Sequence, residues 1–185
     1  LLKIIDREHD SKAFLLLSKL AFQKHLYNDT IDFLGNVLQI APNNYEAKLL
    51  LAQSYFKIED YNKTIDICTN LIGQSDNREV LRILAKSYYK SGEYTKAIEV
   101  CERLLNIEKN NFEALKLISL SYFKTGNQNS AYEYCEKALS IFKYDIELLS
   151  LKANLKKSIS GDTIVRVEET IDKEIKPKPQ KQKEN

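Results

Sequence analysis

The sequence predicts an all-α protein built as a solenoid of stacked helix-turn-helix units, and three observations lead to this prediction. The chain of 185 residues contains only five Gly and three Pro, the residues that most often break helices and mark turns. Related segments recur along the chain at a nearly constant interval. Within each segment the apolar residues follow the helical period, recurring every three to four residues.

Two positions occupied by small residues set the length of the repeat. The first position is filled, at intervals of 34, 33 and 34 residues, by Ser18, Ala52, Ala85 and Ser119. The second position repeats at the same intervals and is filled by Thr30, Thr64, Ala97 and Ala131. A fixed period of this length is typical of units that bury their apolar faces only by stacking on their neighbours. Small residues at both positions allow two helices to approach closely.

The segment from residue 78 to 111 shows the two helices of a unit most clearly. The first apolar stripe consists of Leu81, Leu84, Ala85 and Tyr88. The second stripe follows a polar break and consists of Tyr94, Ala97, Ile98, Cys101, Leu104 and Leu105. Gly92, in the break, and Gly126, in the next unit, are expected to adopt a positive φ in tight turns. Asn-rich joints close the units, since Asn tolerates turn geometry and caps the following helix.

These positions resemble the tetratricopeptide repeat family, whose pattern combines a Leu-small pair, an aromatic and a second small residue. The resemblance implies a right-handed α-solenoid with four repeats, at residues 11–44, 45–77, 78–111 and 112–145. The chain departs from the family pattern in a few places. Lys48 replaces a large apolar residue, Ala21 replaces the inner aromatic, and His25 and Glu59 replace the turn Gly.

The two ends of the chain carry further helical patterns. Residues 1–10 are predicted to be the tail of a preceding repeat helix, with a joint at Asp10–Ser11. Because this pattern resembles the end of a second helix, we expect more repeats before Leu1. Residues 146–176 are predicted to be either a capping helix or a degenerate fifth repeat. After a turn at 160–162, apolar residues recur at helical spacing: Ile164, Val167, Ile171 and Ile175. Residues 177–185 have no apolar side chains and are expected to be disordered.

The residues that could perform chemistry form no recognisable constellation. Cys68, Cys101 and Cys135 occupy the same core position in three units, so we expect three free, buried thiols that behave as small hydrophobic residues. The only histidines are His9 and His25, and no Cys or Ser has a base at motif spacing. We therefore expect neither catalysis nor a metal or other cofactor. Unpaired thiols favour a reducing compartment, and cytoplasmic is the default localisation.

The resemblance also implies where a partner would bind, because the first helices of successive repeats line a concave groove in this family. The positions that would face this groove carry a ladder of aromatic residues and a ladder of cations. The predicted binding residues are Lys19, Phe22, Gln53, Phe56, Lys57, Arg82, Lys86, Tyr89, Lys90, Lys116, Phe123 and Lys124. Aromatic faces beside cations suit a peptide or helix with acidic and apolar side chains. The same ladders also occur in repeats where they only solvate and pack the helix surface.

One known mode of binding is disfavoured by residue identity. Some co-chaperones of the family hold the carboxylate of a chaperone tail with Lys, Asn and Arg donors. Counted from the first unit, the corresponding positions here hold Leu15, Lys19, Leu50, Glu79 and Ile83. The donors that such a clamp requires are therefore missing.

Three functional readings remain open at this point. The first is a non-enzymatic scaffold for protein–protein interaction that assembles a multiprotein complex. The second is a regulatory or targeting domain of a larger enzyme or membrane-associated machine. The third is nucleic-acid binding through the lysine-rich groove, which a formal net charge of only +2 does not favour. No long apolar span is present, so we expect no direct membrane insertion by this segment.

Overall fold

The computed structural model describes residues 2–73 and 77–159, with side chains from residue 10 onward. The described residues form helices and no strand. Eight helices follow one another in order: α1 (Leu2–Gln23), α2 (Tyr27–Ile40), α3 (Tyr45–Lys57), α4 (Tyr61–Ile72), α5 (Arg78–Lys90), α6 (Tyr94–Ile107), α7 (Phe112–Lys124) and α8 (Gln128–Ile141). A ninth helix, α9, spans residues 146–159. This is the all-α solenoid of helix-turn-helix repeats that the sequence predicts.

The helices pack as successive pairs in one continuous stack. Each helix contacts the next along the chain from α1 to α8, and the first helices α1, α3, α5 and α7 also contact one another in sequence. Comparable contacts do not join the second helices α2, α4, α6 and α8 in the described part of the chain. The first helices therefore lie on the inner, concave side of the stack.

Small side chains occupy the seams where the helices approach most closely. All eight residues at the two small positions of the repeat are buried. Two of their hydroxyls donate hydrogen bonds across a pair: Ser119 Oγ to the carbonyl of Ala131, at 2.8 Å, and Thr64 Oγ1 to the carbonyl of Ala52, at 3.5 Å. A larger side chain at such a position would separate the two helices.

Asn and Asp side chains begin most of the helices. Asn44, Asn77 and Asn111 cap α3, α5 and α7, and each accepts a hydrogen bond from an amide in the first turn. Asp60 and Asn127 cap α4 and α8 in the same way. These caps satisfy amide groups that have no partner within the helix. The expected Asn joints are thus present between the pairs.

The turns inside the pairs have the left-handed conformation expected for the family. Gly92 and Gly126 have φ values of 85° and 82°. His25 and Glu59 occupy the same place in the first and second units with φ values of 60° and 64°. A side chain with a Cβ is strained in this region, so the first two turns keep the family geometry at a local cost.

One expectation at the N-terminal end is wrong in detail. The joint expected at Asp10–Ser11 is absent, because α1 is one continuous helix from Leu2 to Gln23. Neither Gly nor Pro occurs in this stretch, and Ser11 lies buried within the helix. Leu17 occupies the position of the repeat that Leu51 and Leu84 occupy in the second and third units, yet 43% of its surface is exposed, whereas Leu84 is 1% exposed. No described helix pair precedes α1 to cover this face.

The predicted segments at the C-terminal end are only partly described. Helix α9 lies within the segment 146–176, for which both a capping helix and a fifth repeat were considered. Residues 160–176, with the apolar pattern from Ile164 to Ile175, lie outside the described residues. The tail 177–185 lies outside them as well.

Candidate protein-binding groove

The C-terminal turn of each first helix from α1 to α7 places an aromatic residue in the same relative position, and in three of these helices a lysine follows it. The aromatic residues of this ladder are Phe22, Phe56, Tyr89 and Phe123. In α3, α5 and α7 the aromatic is followed by the last residue of the helix, which is Lys57, Lys90 or Lys124. A cation at this end of a helix interacts favourably with the partial negative charge of the terminal carbonyls.

Three of the four ladder aromatics are held in place by the tyrosine that begins the second helix of the same pair. Phe22 packs edge-to-face on Tyr27, with ring centroids 5.5 Å apart. The same geometry joins Phe56 to Tyr61 at 5.7 Å and Tyr89 to Tyr94 at 5.5 Å. Such contacts fix the orientation of the rings and leave them half-buried. In the fourth unit the tyrosine is replaced by Gln128, and Phe123 is 40% exposed.

A cavity of about 270 Å³ opens on the concave side between the first three units. Its lining consists of Phe22, Gln53, Phe56, Lys57, Glu79, Arg82, Ile83 and Lys86. The structure thus brings six of the predicted binding residues together around one space. The other six predicted residues do not line this cavity, and they are Lys19, Tyr89, Lys90, Lys116, Phe123 and Lys124.

Two residues of the lining were absent from the predicted set. Glu79 holds a groove-facing position, and its carboxylate accepts a hydrogen bond from the amide of Gln53 at 2.5 Å. Ile83 follows Arg82 on α5 and supplies an apolar wall beside the two aromatic rings. Ile83 also holds the last of the five positions at which co-chaperones of the family carry their carboxylate clamp. That position was the sequence signal that this residue faces the groove.

A row of polar contacts links each first helix to the next one across the floor of the groove. Lys19 pairs with Glu46 at 2.7 Å, and Lys86 pairs with Glu113 at 3.1 Å. Arg82 approaches the same carboxylate of Glu113 at 3.6 Å. These side chains are about half-exposed, so each pair stabilises the stack by less than about 1 kcal/mol. The row neutralises the cations that take part in it.

The lysines at the ends of the first helices behave differently. Within the described residues, no carboxylate forms an ion pair with Lys57, Lys90 or Lys124, and all three side chains are exposed. Helix α5 as a whole carries four cationic residues and one carboxylate. The groove therefore has an inner row of paired charges and, beside the aromatic rings, an outer row of lysines that no carboxylate of the described residues pairs with.

The C-terminal part of the groove is closed by a more buried ion pair. Lys116 Nζ lies 2.8 Å from carboxylate oxygens of both Asp145 and Glu147. Burial tends to raise the pKa of Asp145, but hydrogen bonds from Lys116 and from the amide of Leu148 outweigh it and hold this pKa below its ordinary value. Burial also raises the pKa of the Tyr89 phenol, with a further contribution from the negative charge of Glu147. Residues from the third unit, the fourth unit and α9 thus meet at this point.

The three thiols lie in the core and away from the groove. Cys68, Cys101 and Cys135 are free and buried, as the sequence predicts. Burial raises the pKa of Cys68 and Cys101 to about 12, so these thiols stay protonated and poorly nucleophilic at neutral pH.

Across the part of the chain that is described, no cluster of three or more His, Cys, Asp or Glu side chains could hold a metal ion. None of the helices described here combines the length and apolar character needed to cross a bilayer.

Two family models match the chain. Residues 23–100 match the model described as anaphase-promoting complex, cyclosome, subunit 3. Residues 112–144 match a tetratricopeptide repeat model. No curated protein sequence matches the chain significantly.

Solved structures with the same architecture cover nearly the whole chain. A crystal structure of MamA protein superposes with a TM-score of 0.77 at 19% identity, covering 94% of this chain and 99% of that one. MamA from Desulfovibrio magneticus RS-1 gives a TM-score of 0.76 at 13% identity, with coverages of 91% and 98%. A thermophilic TPR protein from Thermus thermophilus gives 0.59 at 17% identity, with coverages of 80% and 82%. At these identities the likeness shows the fold, and together with the two family models it leads to one conclusion. Residues 112–144 match a tetratricopeptide repeat, and the described residues have the fold of a tetratricopeptide repeat solenoid, the architecture of a protein-interaction scaffold.

Proposed function

We propose that the protein is a non-enzymatic scaffold that binds a peptide or helix of a partner protein in its concave groove and so assembles a multiprotein complex. The observation that carries this proposal is the cavity between the first three units, with Phe22, Phe56 and Ile83 in its wall. Half-buried aromatic rings in a concave site are the usual anchors of a protein interface. The tight edge-to-face contacts hold these rings ready, so little ordering is needed when a partner binds.

The charges of the groove indicate the chemistry of the partner. Lys57 lies beside Phe56 in the lining and has no described carboxylate opposite it. Lys90 and Lys124 repeat this arrangement further along the stack. An occupant that carries acidic side chains next to apolar ones would neutralise these lysines and cover the rings at the same time. The cytoplasmic localisation stays a prediction that rests on the three free thiols.

The proposal can be tested by comparing what two forms of the protein capture from the native cell. The test variant is Phe56→Ala with Tyr89→Ala, and the matched control is Tyr144→Ala, which removes an aromatic that is 80% exposed and outside the cavity lining. We expect partners identified by mass spectrometry to bind the wild type and the control alike. The double variant should bind them at least about 30-fold more weakly, the loss typical of a truncated aromatic anchor. Unchanged binding with intact helicity would place the partner site on another surface.

A second pair of variants separates an acidic protein segment from nucleic acid. Lys57→Gln with Lys90→Gln should weaken a captured acidic peptide several-fold at low salt and much less at high salt. Lys63→Gln with Lys96→Gln is the control, because these two lysines lie on the second helices and already pair with Asp60 and Glu93. Binding of single-stranded oligonucleotides with a steep salt dependence would favour nucleic acid instead.

A further inference from the structure

Helix α9 begins in the same way as the first helix of a repeat. Asp145 lies 34 positions after Asn111, and both side chains accept a hydrogen bond at 2.9 Å from the amide three residues on. Glu147 corresponds to Glu113 and, like it, forms an ion pair with a cation of the preceding first helix. Helix α9 therefore continues the repeat as the first helix of a fifth unit.

One face of α9 is packed as it should be in such a unit. Leu148, Leu151 and Leu155 are buried against the fourth unit and form one apolar cluster with Ala131, Cys135 and Leu139. In α3, α5 and α7 the equivalent face packs against the preceding pair of helices. The contact fixes α9 on the end of the solenoid.

The other face of α9 has no described cover. In α7 the equivalent face lies against α8: Leu115 is 5% exposed, and Ser119 donates its hydrogen bond to the carbonyl of Ala131. The residues 34 positions later are Leu149, which is 45% exposed, and Ala153, which is also exposed. Ile146, one turn earlier on the same side, is exposed as well. Ala153 continues the series of small residues at which a second helix approaches closely.

The sequence that follows α9 has the length and pattern of the missing second helix. In the second, third and fourth units the second helix begins four positions after the last residue of the first, as at Lys57 and Tyr61. The last residue of α9 that the structure describes is 159, and position 163 lies 35 residues after the start of α8, one more than the repeat interval of 34. From there to Lys176 there are 14 residues, the length of α6 and of α8. Pro177 follows at once, and a helix usually ends before such a position.

The apolar residues of this segment form a single stripe. Ile164, Val167, Ile171 and Ile175 are separated by three, four and four positions, so they would share one face of a helix. The remaining residues from 163 to 176 are polar or charged apart from Val165. A helix with one apolar stripe and one polar face suits the end of a solenoid, because it covers the last apolar surface and presents charge to water.

We propose that residues 163–176, which lie outside the described residues, form the second helix of a fifth repeat and dock on the face of α9 made by Ile146, Leu149 and Ala153. This docking goes beyond the proposed scaffold role. It fixes α9, whose capping residue Asp145 and first-turn residue Glu147 hold Lys116 at the C-terminal end of the groove. The C-terminal segment would thereby set the shape of the groove at that end.

Hydrogen exchange on the full chain tests this proposal. The test variant is Val167→Gln with Ile171→Gln, on the apolar stripe. The control is Glu169→Gln with Lys173→Gln, which places the same two residues on the opposite side of the same helix. Exchange of the α9 amides should be at least about tenfold faster in the test variant than in the wild type, since the segment no longer covers Leu149. The control should match the wild type, and α5 and α6 should be unaffected in both.

Two results would overturn the proposal. Equal exchange of α9 in the wild type and both variants would show that the segment does not cover α9. Protection of α9 that rises with protein concentration would show that a second copy of the chain covers this face. Both results leave the groove and its partner untouched, so the proposed function is tested separately by the variants at Phe56 and Tyr89.

Discussion

The first and third units of the solenoid have similar sequences and are packed very differently. Leu17 and Leu84 hold the same position of the repeat, but 43% of Leu17 is exposed and only 1% of Leu84. Leu16 and Leu20, on the same side of α1, are exposed as well, whereas α5 buries Val80, Leu81, Leu84, Ala85 and Ser87. Helix α5 lies between a preceding and a following pair, while no described pair precedes α1.

The comparison shows that residues at the same position of the repeat do not contribute equally to the free energy of unfolding. Each unit buries its apolar surface against its neighbours, so the same Leu stabilises the chain strongly in the middle and weakly at the end. The stability of the whole is then close to a sum over interfaces between units. Substitutions at equivalent positions are the most direct way to examine this.

Shortening the two equivalent leucines should give the largest difference. Leu84→Ala removes a fully buried side chain and leaves a cavity, so we expect a loss of about 2–5 kcal/mol of unfolding free energy. Leu17→Ala removes a side chain that is already half in water, and we expect a loss of about 1 kcal/mol or less. Urea unfolding of both variants measures the difference. Equal losses would mean that another surface covers α1 in solution.

Enlarging a small seam residue should have the next largest effect. Ala85→Leu places three additional carbon atoms where α5 meets α6, and overpacking of this kind costs about 1–3 kcal/mol. Ala13→Leu adds the same atoms to α1 at an exposed position and is the matched control. Thermal unfolding should show a lower midpoint for the first variant only. A wild-type midpoint for Ala85→Leu would contradict the assigned repeat register.

Substitutions in the turns of the two units should change stability less, and the two changes should have opposite signs. His25 and Gly92 both have positive φ, which strains the backbone at His25 but not at Gly92. We expect His25→Gly to stabilise the chain by about 0.5–1 kcal/mol, although the exposed contact between His25 Nδ1 and the Tyr27 hydroxyl, at 2.9 Å, is lost. Gly92→Ala should destabilise it by about 1 kcal/mol. Chemical denaturation would contradict the strain argument if both substitutions moved stability in the same direction.

The smallest expected effect concerns pH and the junction between the fourth unit and α9. Because Asp145 has a lowered pKa when folded, its contribution is fully present above the unfolded pKa, about 3.9, and is lost as the pH falls through the folded value. We expect a loss on the order of 1 kcal/mol over this range. Asp145→Asn should keep the cap, as Asn111 does in the preceding unit, and remove this part of the acid dependence. Identical pH profiles for the two proteins would rule out the role of this carboxylate.

Much of the fold could be predicted because it depends on local sequence. The positive φ of Gly92 and Gly126, the buried small residues and the three core cysteines all follow from a pattern repeated within one unit. Six of the eight residues that line the cavity were also predicted, since the family assigns groove positions on each first helix. The strain at His25 could be anticipated from the absence of Gly.

What could not be predicted depends on neighbouring units. Carboxylates neutralise Lys86 and Lys116, but no described carboxylate neutralises Lys57 or Lys90. Distances between helices far apart in sequence decide this difference. The exposure of Leu17 depends on whether a pair precedes it, which its own sequence does not state. The continuity of α1 through Ser11 escaped prediction because Asp and Ser suit both a helix cap and a helix interior.

Native-state hydrogen exchange along the chain tests most directly the central claim that burial in this protein is set by position in the stack. The account predicts the slowest exchange in α5 and α6, faster exchange in α3 and α4, and the fastest among the repeat helices in α1 and α2. Uniform protection from α1 to α8, or protection that is highest in α1, would contradict it.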